Sequence, residues 1–178
     1  MSSDKSIFSH AAKGILSSLS HIDDTGAARM VDVGEKPISR RTATATAVCR
    51  MLPETAERIQ QNTLKKGDVL SVARLAAIQA AKRTDELIPL CHGLPLDVVE
   101  VDFQWLSNER LKISVTVSVT ARTGVEMEAM VGASIAGLTV YDMCKAVDRS
   151  MSLEDVSLES KSGGMRGDYR RAASTEPR

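Results

Sequence analysis

The chain has 178 residues, with 23 basic and 23 acidic side chains in balance, 43% hydrophobic residues and 3% aromatic. That length suits one domain able to bury a core without disulfides, and three cysteines with no CxxC pair fit a reducing cytoplasm and argue against a four-ligand zinc site. Zero net charge and few aromatics leave neither a basic footprint nor stacking platforms for nucleic acid, and no run approaches the apolar length of a membrane span.

Residues 1–20 are Ser-rich and lack the apolar core of a secretory signal, and their lack of arginine argues against a transit peptide. They read as a flexible extension. Arg40–Met51 alternates Thr42, Thr44, Thr46 and Val48 with Ala43, Ala45, Ala47 and Cys49, the period of a strand with one small polar face. Pro53 then opens the helix PETAERIQQN, with acids near its positive end. Asp68 can cap the next helix, where Val69, Val72, Ala73, Ala76, Ala77 and Ala80 recur at helical spacing up to about Lys82. Val99, Val101, Phe103 and Trp105 mark a strand, the odd positions from Leu111 to Val119 mark another, and SNER is the hairpin between them. A long helix begins after Gly124, and a last strand near Leu153–Leu158 precedes the glycine-containing SKSGGMRGD. Residues 170–178 read as a flexible tail. Strand, helix, helix, strand, strand, helix, strand predicts a single α+β domain over residues 21–169, an antiparallel sheet with helices packed on one face. The opposite, small polar face is a candidate contact with a second copy.

From Ala129 to Tyr141 thirteen residues pass without a charge, and DMCKAV then sets Asp142 and Lys145 into the apolar continuation. This reads as a buried helix carrying charge inward, with the two residues three positions apart on one edge. A lysine so placed can have its pKa lowered enough for acid/base chemistry, although a plain salt bridge is the commoner explanation. Lys36, Arg40, Arg41, Lys65, Lys66, Lys82, Arg83, Lys145 and Lys161 gather in or beside structured segments. A locally basic pocket for a small polyanion and a solvated surface both give that pattern.

Four segments combine reactive groups with glycine or proline, and each has an ordinary explanation alone. Lys65-Lys66-Gly67-Asp68 can be an exposed helix entry. Pro89-Leu90-Cys91-His92-Gly93 can be a turn with a buried thiol and a satisfied imidazole. The two acids of Thr123-Gly124-Val125-Glu126-Met127-Glu128 suit a helix start without any function. Lys161-Ser162-Gly163-Gly164 is a short flexible segment able to cradle phosphate, yet it lacks the P-loop pattern.

Together these segments resemble the cyclic pyranopterin monophosphate synthase family of molybdenum cofactor biosynthesis, the accessory protein C family. The likeness is carried by MVDVGEKP (Met30–Pro37), LKKGDVLSVARLAAIQAAKRT (Leu64–Thr84), LIPLCH (Leu87–His92), TGVEMEAM (Thr123–Met130), LTVYDMCKAV (Leu138–Val147) and SKSGG (Ser160–Gly164). It spans about residues 20–170. The resemblance implies a ferredoxin-like subunit in a homohexamer, a trimer of dimers, with active sites at subunit interfaces. It implies a lyase that converts a cyclised dihydro-GTP to cyclic pyranopterin monophosphate with loss of pyrophosphate. It assigns catalysis to Lys66, Asp142 and Lys145, and substrate binding to Leu90, Cys91, His92, Glu126, Met127, Glu128, Lys36, Arg41 and Lys161, with Asp32 a weaker member. Gly93 stands where Pro is frequent, Met165 where many relatives carry Lys, and the N-terminal extension is a third departure.

The chemistry suits these residue types. Expelling pyrophosphate while closing a cyclic phosphate requires cations, which Lys36, Arg41 and Lys161 can supply. Opening a fused guanine ring and rebuilding it needs successive proton transfers, which suit a lysine beside a second cation, with Asp142 orienting an ammonium or activating water. Glu126 and Glu128 can recognise the amino-bearing edge of the base. The reading takes no metal site and no resident cofactor, although Mg2+ could accompany the triphosphate. If one helix ran from Glu128 to Asp142, the two would lie roughly 21 Å apart along its axis. Either the helix starts later, or a neighbouring subunit supplies one group. The rival from another class is a non-catalytic, oligomeric nucleotide-binding regulator, which would bind without turnover. A ring-opening cyclohydrolase is a second enzyme reading, one that usually needs a metal.

Overall fold

Thr42, Thr44 and Thr46 do alternate with small apolar residues in a strand, β1 (Ser39–Arg50), which becomes the centre of the sheet. The computed structural model describes residues 21–22 and 25–172, so the expected extension over residues 1–20 and the end of the expected tail lie outside the described residues. After β1 come α1 (Pro53–Gln60), α2 (Val69–Ala81), the short α3 (Thr84–Leu87), β2 (Val98–Trp105), β3 (Arg110–Ala121), α4 (Glu126–Cys144), β4 (Ser152–Ser162) and β5 (Tyr169–Arg170). The strands lie in the order β2-β3-β1-β4-β5, and every pairing is antiparallel. Helices between β1 and β2 and again between β3 and β4 give the β-α-β-β-α-β plan of a ferredoxin-like α+β fold.

The two faces of the sheet follow the two phases of its strands. Ala43, Ala45 and Ala47 of β1 and Ile113, Val115 and Val117 of β3 are fully buried beneath the helices. Small side chains let α4 approach closely: a methyl added at Gly132 would sit 3.1 Å from Val115 Cγ1 and 3.3 Å from the Ala77 carbonyl oxygen. On the opposite face Thr42 pairs with Ser118 and Thr44 with Thr116, each hydroxyl pair 2.9 Å apart, while Thr46 donates to Glu159. These hydroxyls satisfy one another across the strands.

Local chemistry sets the helix starts. Pro53 occupies the first turn of α1, and Asp68 caps α2 by accepting the Ser71 N–H at 3.0 Å. The buried Asp148, beyond α4, accepts the Leu52 N–H at the head of α1 as well as bonds from Thr55 and Ser150. Its carboxyl lies below the usual range because those donors outweigh the upward push of burial.

Three expectations change. The last strand runs to Ser162, so Lys161 is a strand residue rather than part of a flexible segment; Lys161 pairs with Ala43 on one side and Tyr169 on the other. Strand β5 carries the sheet one residue into the expected tail, to Arg170. Asp142 and Lys145 are not buried: α4 spends its apolar face, Ala129, Ala133, Ala136, Val140 and Cys144, on the core, and both charges project from its C-terminal end with side chains 57% and 52% exposed. Among the described residues no helix is long and apolar enough to cross a membrane.

Candidate active site

Two clusters form, one at each end of α4. At the N-terminal end a pocket of about 490 Å³ opens between the first turn of α4, the turn at Leu90–His92, the start of β1, the end of β4 and the segment that carries Lys36. It is lined by every expected binding residue except Asp32: Lys36, Arg41, Leu90, Cys91, His92, Glu126, Met127, Glu128 and Lys161. Asp32 instead accepts the Gly34 N–H at 2.8 Å within its own turn.

Arg41 is the most constrained cation of this pocket. It is 8% exposed, its Nε donates to the Ala121 carbonyl at 3.0 Å, and its Nη2 has no acceptor among the described residues. A buried cationic donor without a partner is costly, and an anionic ligand would satisfy it. The chain crosses Arg40 and Arg41 through Gly163 and Gly164, both at φ near +86 to +87°. A Cβ at Gly163 would overlap the Arg40 carbonyl, and one at Gly164 the Arg41 guanidinium, so only glycine permits the crossing. The Gly163 N–H, expected to be available to phosphate, is taken by Asp168 Oδ1 at 3.1 Å.

Lys161 Nζ donates to Glu126 Oε1 at 2.8 Å, both side chains being partly buried. The Glu126 carboxylate folds back over Gly124, where a Cβ would overlap it. Glu128 is 4% exposed, and burial pushes its carboxyl up to about 7, with Glu126 and Asp85 adding to the rise against its own backbone N–H. Burial, and then the nearby Glu128 and Asp85, also hold the Cys91 thiol above its ordinary value, so Cys91 stays protonated. Among the described residues no group of three or more His, Cys, Asp or Glu is placed to hold a metal ion.

At the C-terminal end of α4, Asp142 lies between two ammonium groups. Its Oδ1 meets Lys145 Nζ at 2.7 Å and its Oδ2 meets Lys66 Nζ at 3.1 Å, while Lys66 also donates to the Asp142 carbonyl at 2.7 Å. Lys66 arrives from the loop before α2, where Gly67 at φ +88° makes the turn into the Asp68 cap. The hydrogen bonds from Lys145 and then Lys66 hold the Asp142 carboxyl below its usual range. Asp142 in turn pushes the Lys145 ammonium up, opposite to the lowered lysine expected from a buried helix. The reason is exposure: attraction is present and the desolvation that would oppose it is slight.

The sequence reading missed Arg122. It follows β3 directly, lines the pocket, and its Nη1 donates to the Gly34 carbonyl at 2.6 Å. Its position just before Thr123-Gly124 was the available signal.

A ferredoxin-like domain with a cation-rich pocket at one end of a helix and a Lys–Asp–Lys ion-pair cluster at the other has the features of a small-polyanion-binding protein. The chain belongs to the MoaC family, whose family model matches residues 30–164. It is 53% identical over 156 residues to cyclic pyranopterin monophosphate synthase 1 of Mycobacterium bovis, covering 88% of this chain and 92% of that one. It is 48% identical over 153 residues to the cyclic pyranopterin monophosphate synthase of Brevibacillus brevis, covering 86% and 96%. The synthase of Herpetosiphon aurantiacus is 53% identical over 152 residues, covering 85% and 93%.

Proposed function

We propose that this chain is a lyase of molybdenum cofactor biosynthesis that forms cyclic pyranopterin monophosphate from 3',8-cyclo-7,8-dihydro-GTP and releases pyrophosphate. Family membership and close identity to named synthases support the activity. The observation that carries the site is Arg41, a buried guanidinium with an unused donor facing a pocket that also holds Lys36 and Lys161. These cations neutralise the phosphate chain as pyrophosphate leaves. Glu126 and Glu128 take the amino-bearing edge of the base, while Leu90, Cys91, His92 and Met127 form the surrounding wall.

The helix geometry supports a reading in which the two clusters act across chains. Glu128 and Asp142 belong to one uninterrupted helix, so roughly 21 Å of helical rise separates them. A later helix start, one of the two alternatives, is thereby removed, and one substrate molecule cannot reach both ends. The pocket of one chain is completed by Lys66, Asp142 and Lys145 of another, in a homohexamer arranged as a trimer of dimers. Covering the exposed cluster with a second chain removes water from it and strengthens the desolvation that opposes the upward push of Asp142 on Lys145, favouring the neutral amine that proton abstraction needs. The proposed enzyme works in the cytoplasm without a resident metal or cofactor, and Mg2+ could accompany the triphosphate.

Supplying the cyclised nucleotide to the purified protein tests the assignment. Stoichiometric pyrophosphate and a pterin product are expected; tight binding without turnover would replace the enzyme by a regulatory nucleotide-binding module.

A further inference from the structure

Lys36 and Arg41 reach the pocket in different ways. Arg41 is seated in β1, whereas Lys36 comes from a turn ahead of the sheet, closed by the Lys36 N–H to Val33 carbonyl bond at 3.0 Å and the Asp32 bond to Gly34. Those bonds shape the turn without fixing it to the domain. Among the described residues, the hydrogen bond that leaves the turn runs from Arg122 Nη1 to the Gly34 carbonyl. Residues 121 and 122 thus act in succession at the end of β3: the Ala121 carbonyl orients Arg41, and the Arg122 guanidinium holds the turn that carries Lys36.

We propose that Arg122 is a positioning residue for Lys36, docking the turn at residues 32–36 on the end of β3 so that the Lys36 ammonium faces the phosphate-binding part of the pocket. This rests on the reading of Lys36 as a phosphate contact. A charge-assisted bond to a carbonyl is among the stronger single tethers available to a surface turn. Without it Lys36 remains present but samples many positions, and the ordering is then lost from the binding energy. Arg122 is itself exposed, with no part in the core, so its truncation leaves the fold standing.

The test is a double-mutant cycle read by calorimetry with inorganic pyrophosphate at one fixed salt concentration, on wild type, Lys36→Ala, Arg122→Ala and the double variant. Each single variant is expected to bind on the order of tenfold more weakly, and the double variant no more weakly than Lys36→Ala, because Arg122 has nothing left to position. In turnover of the cyclised nucleotide the Arg122→Ala loss appears in KM more than in kcat, with the thermal midpoint unchanged. Additive losses would make Arg122 an independent phosphate contact and overturn the positioning role. So would wild-type affinity in Arg122→Ala alongside weakened Lys36→Ala. Full affinity in Lys36→Ala removes Lys36 from the site and the inference with it, whereas a failure of wild type to turn over the nucleotide strikes only the assigned activity.

Discussion

Replacing Glu128 by Gln should stabilise the folded protein, and the gain should depend on pH. Glu128 ionises at about 7 in the folded chain against an ordinary 4.5, because burial disfavours its carboxylate. Below 4.5 both folded and unfolded chains carry the proton, and the carboxyl is neutral in each. Between 4.5 and about 7 the unfolded chain has lost a proton that the folded chain keeps, so unfolding releases a proton and stability falls as pH rises. Above about 7 the loss is complete, and at about 1.4 kcal/mol for each tenfold change in proton affinity it amounts to about 3 kcal/mol. Gln keeps the shape and cannot ionise. In a chain of this size, at about 2–4 °C for each kcal/mol, the variant should melt several degrees above wild type near pH 8 and with it near pH 4.5. Urea midpoints or thermal midpoints across that range measure the difference. A gap of the same size at both ends, or a wild type that is the more stable at alkaline pH, would refute the argument that Glu128 is forced to ionise in a buried site.

Lys66→Ala, Asp142→Asn and Lys145→Ala should each abolish product formation with little change in thermal midpoint, since the cluster lies outside the hydrophobic core of its own chain; a large loss of stability would mark it as a structural ion pair instead. Mixing inactive Glu128→Ala with inactive Lys66→Ala protein and refolding them together should restore part of the activity, and verified mixed oligomers that stay inactive would place both clusters of a site in one chain. Lys161→Ala should weaken pyrophosphate binding and also release Glu126, so calorimetry that finds equal affinities for variant and wild type would remove Lys161 from the phosphate contacts.

The parts of the fold written as local alternation were legible in advance. The Thr/Ala register of β1 and the Val-rich register of β3 name their buried faces residue by residue, and Asp68 announces the start of α2 through its own side chain. What depends on distant partners was not. Ser160 and Lys161 look like a glycine-rich turn because the residues that hold them in a strand, Thr44 and Ala43 on one side and Arg170 and Tyr169 on the other, are remote in sequence or sit across the turn itself. The charge-free run of α4 suggested that Asp142 and Lys145 were buried too, but the buried stripe passes through Val140 and Cys144 and leaves those two outside it. No spacing rule brings Lys66 to Asp142 across 76 positions; that placement came from resemblance, as did the gathering of Lys36 and Arg41 beside Glu126. Arg122 acts through a backbone carbonyl, a contact that side-chain patterns do not encode.

The 19 residues of α4 act as a ruler as well as a core element. Its first turn presents Glu126, Met127 and Glu128, and its last turn presents Asp142. Every residue gained or lost between them changes the spacing by about 1.5 Å and swings one end relative to the other by about 100°. If both clusters serve one reaction, the length of this helix should be more tightly constrained than its sequence. An insertion would leave each cluster locally intact and set them out of phase, a defect that no single side-chain change could repair. The hairpin loop between β2 and β3 carries no such restriction, so changes in chain length across this family should be absent from the helix and tolerated there.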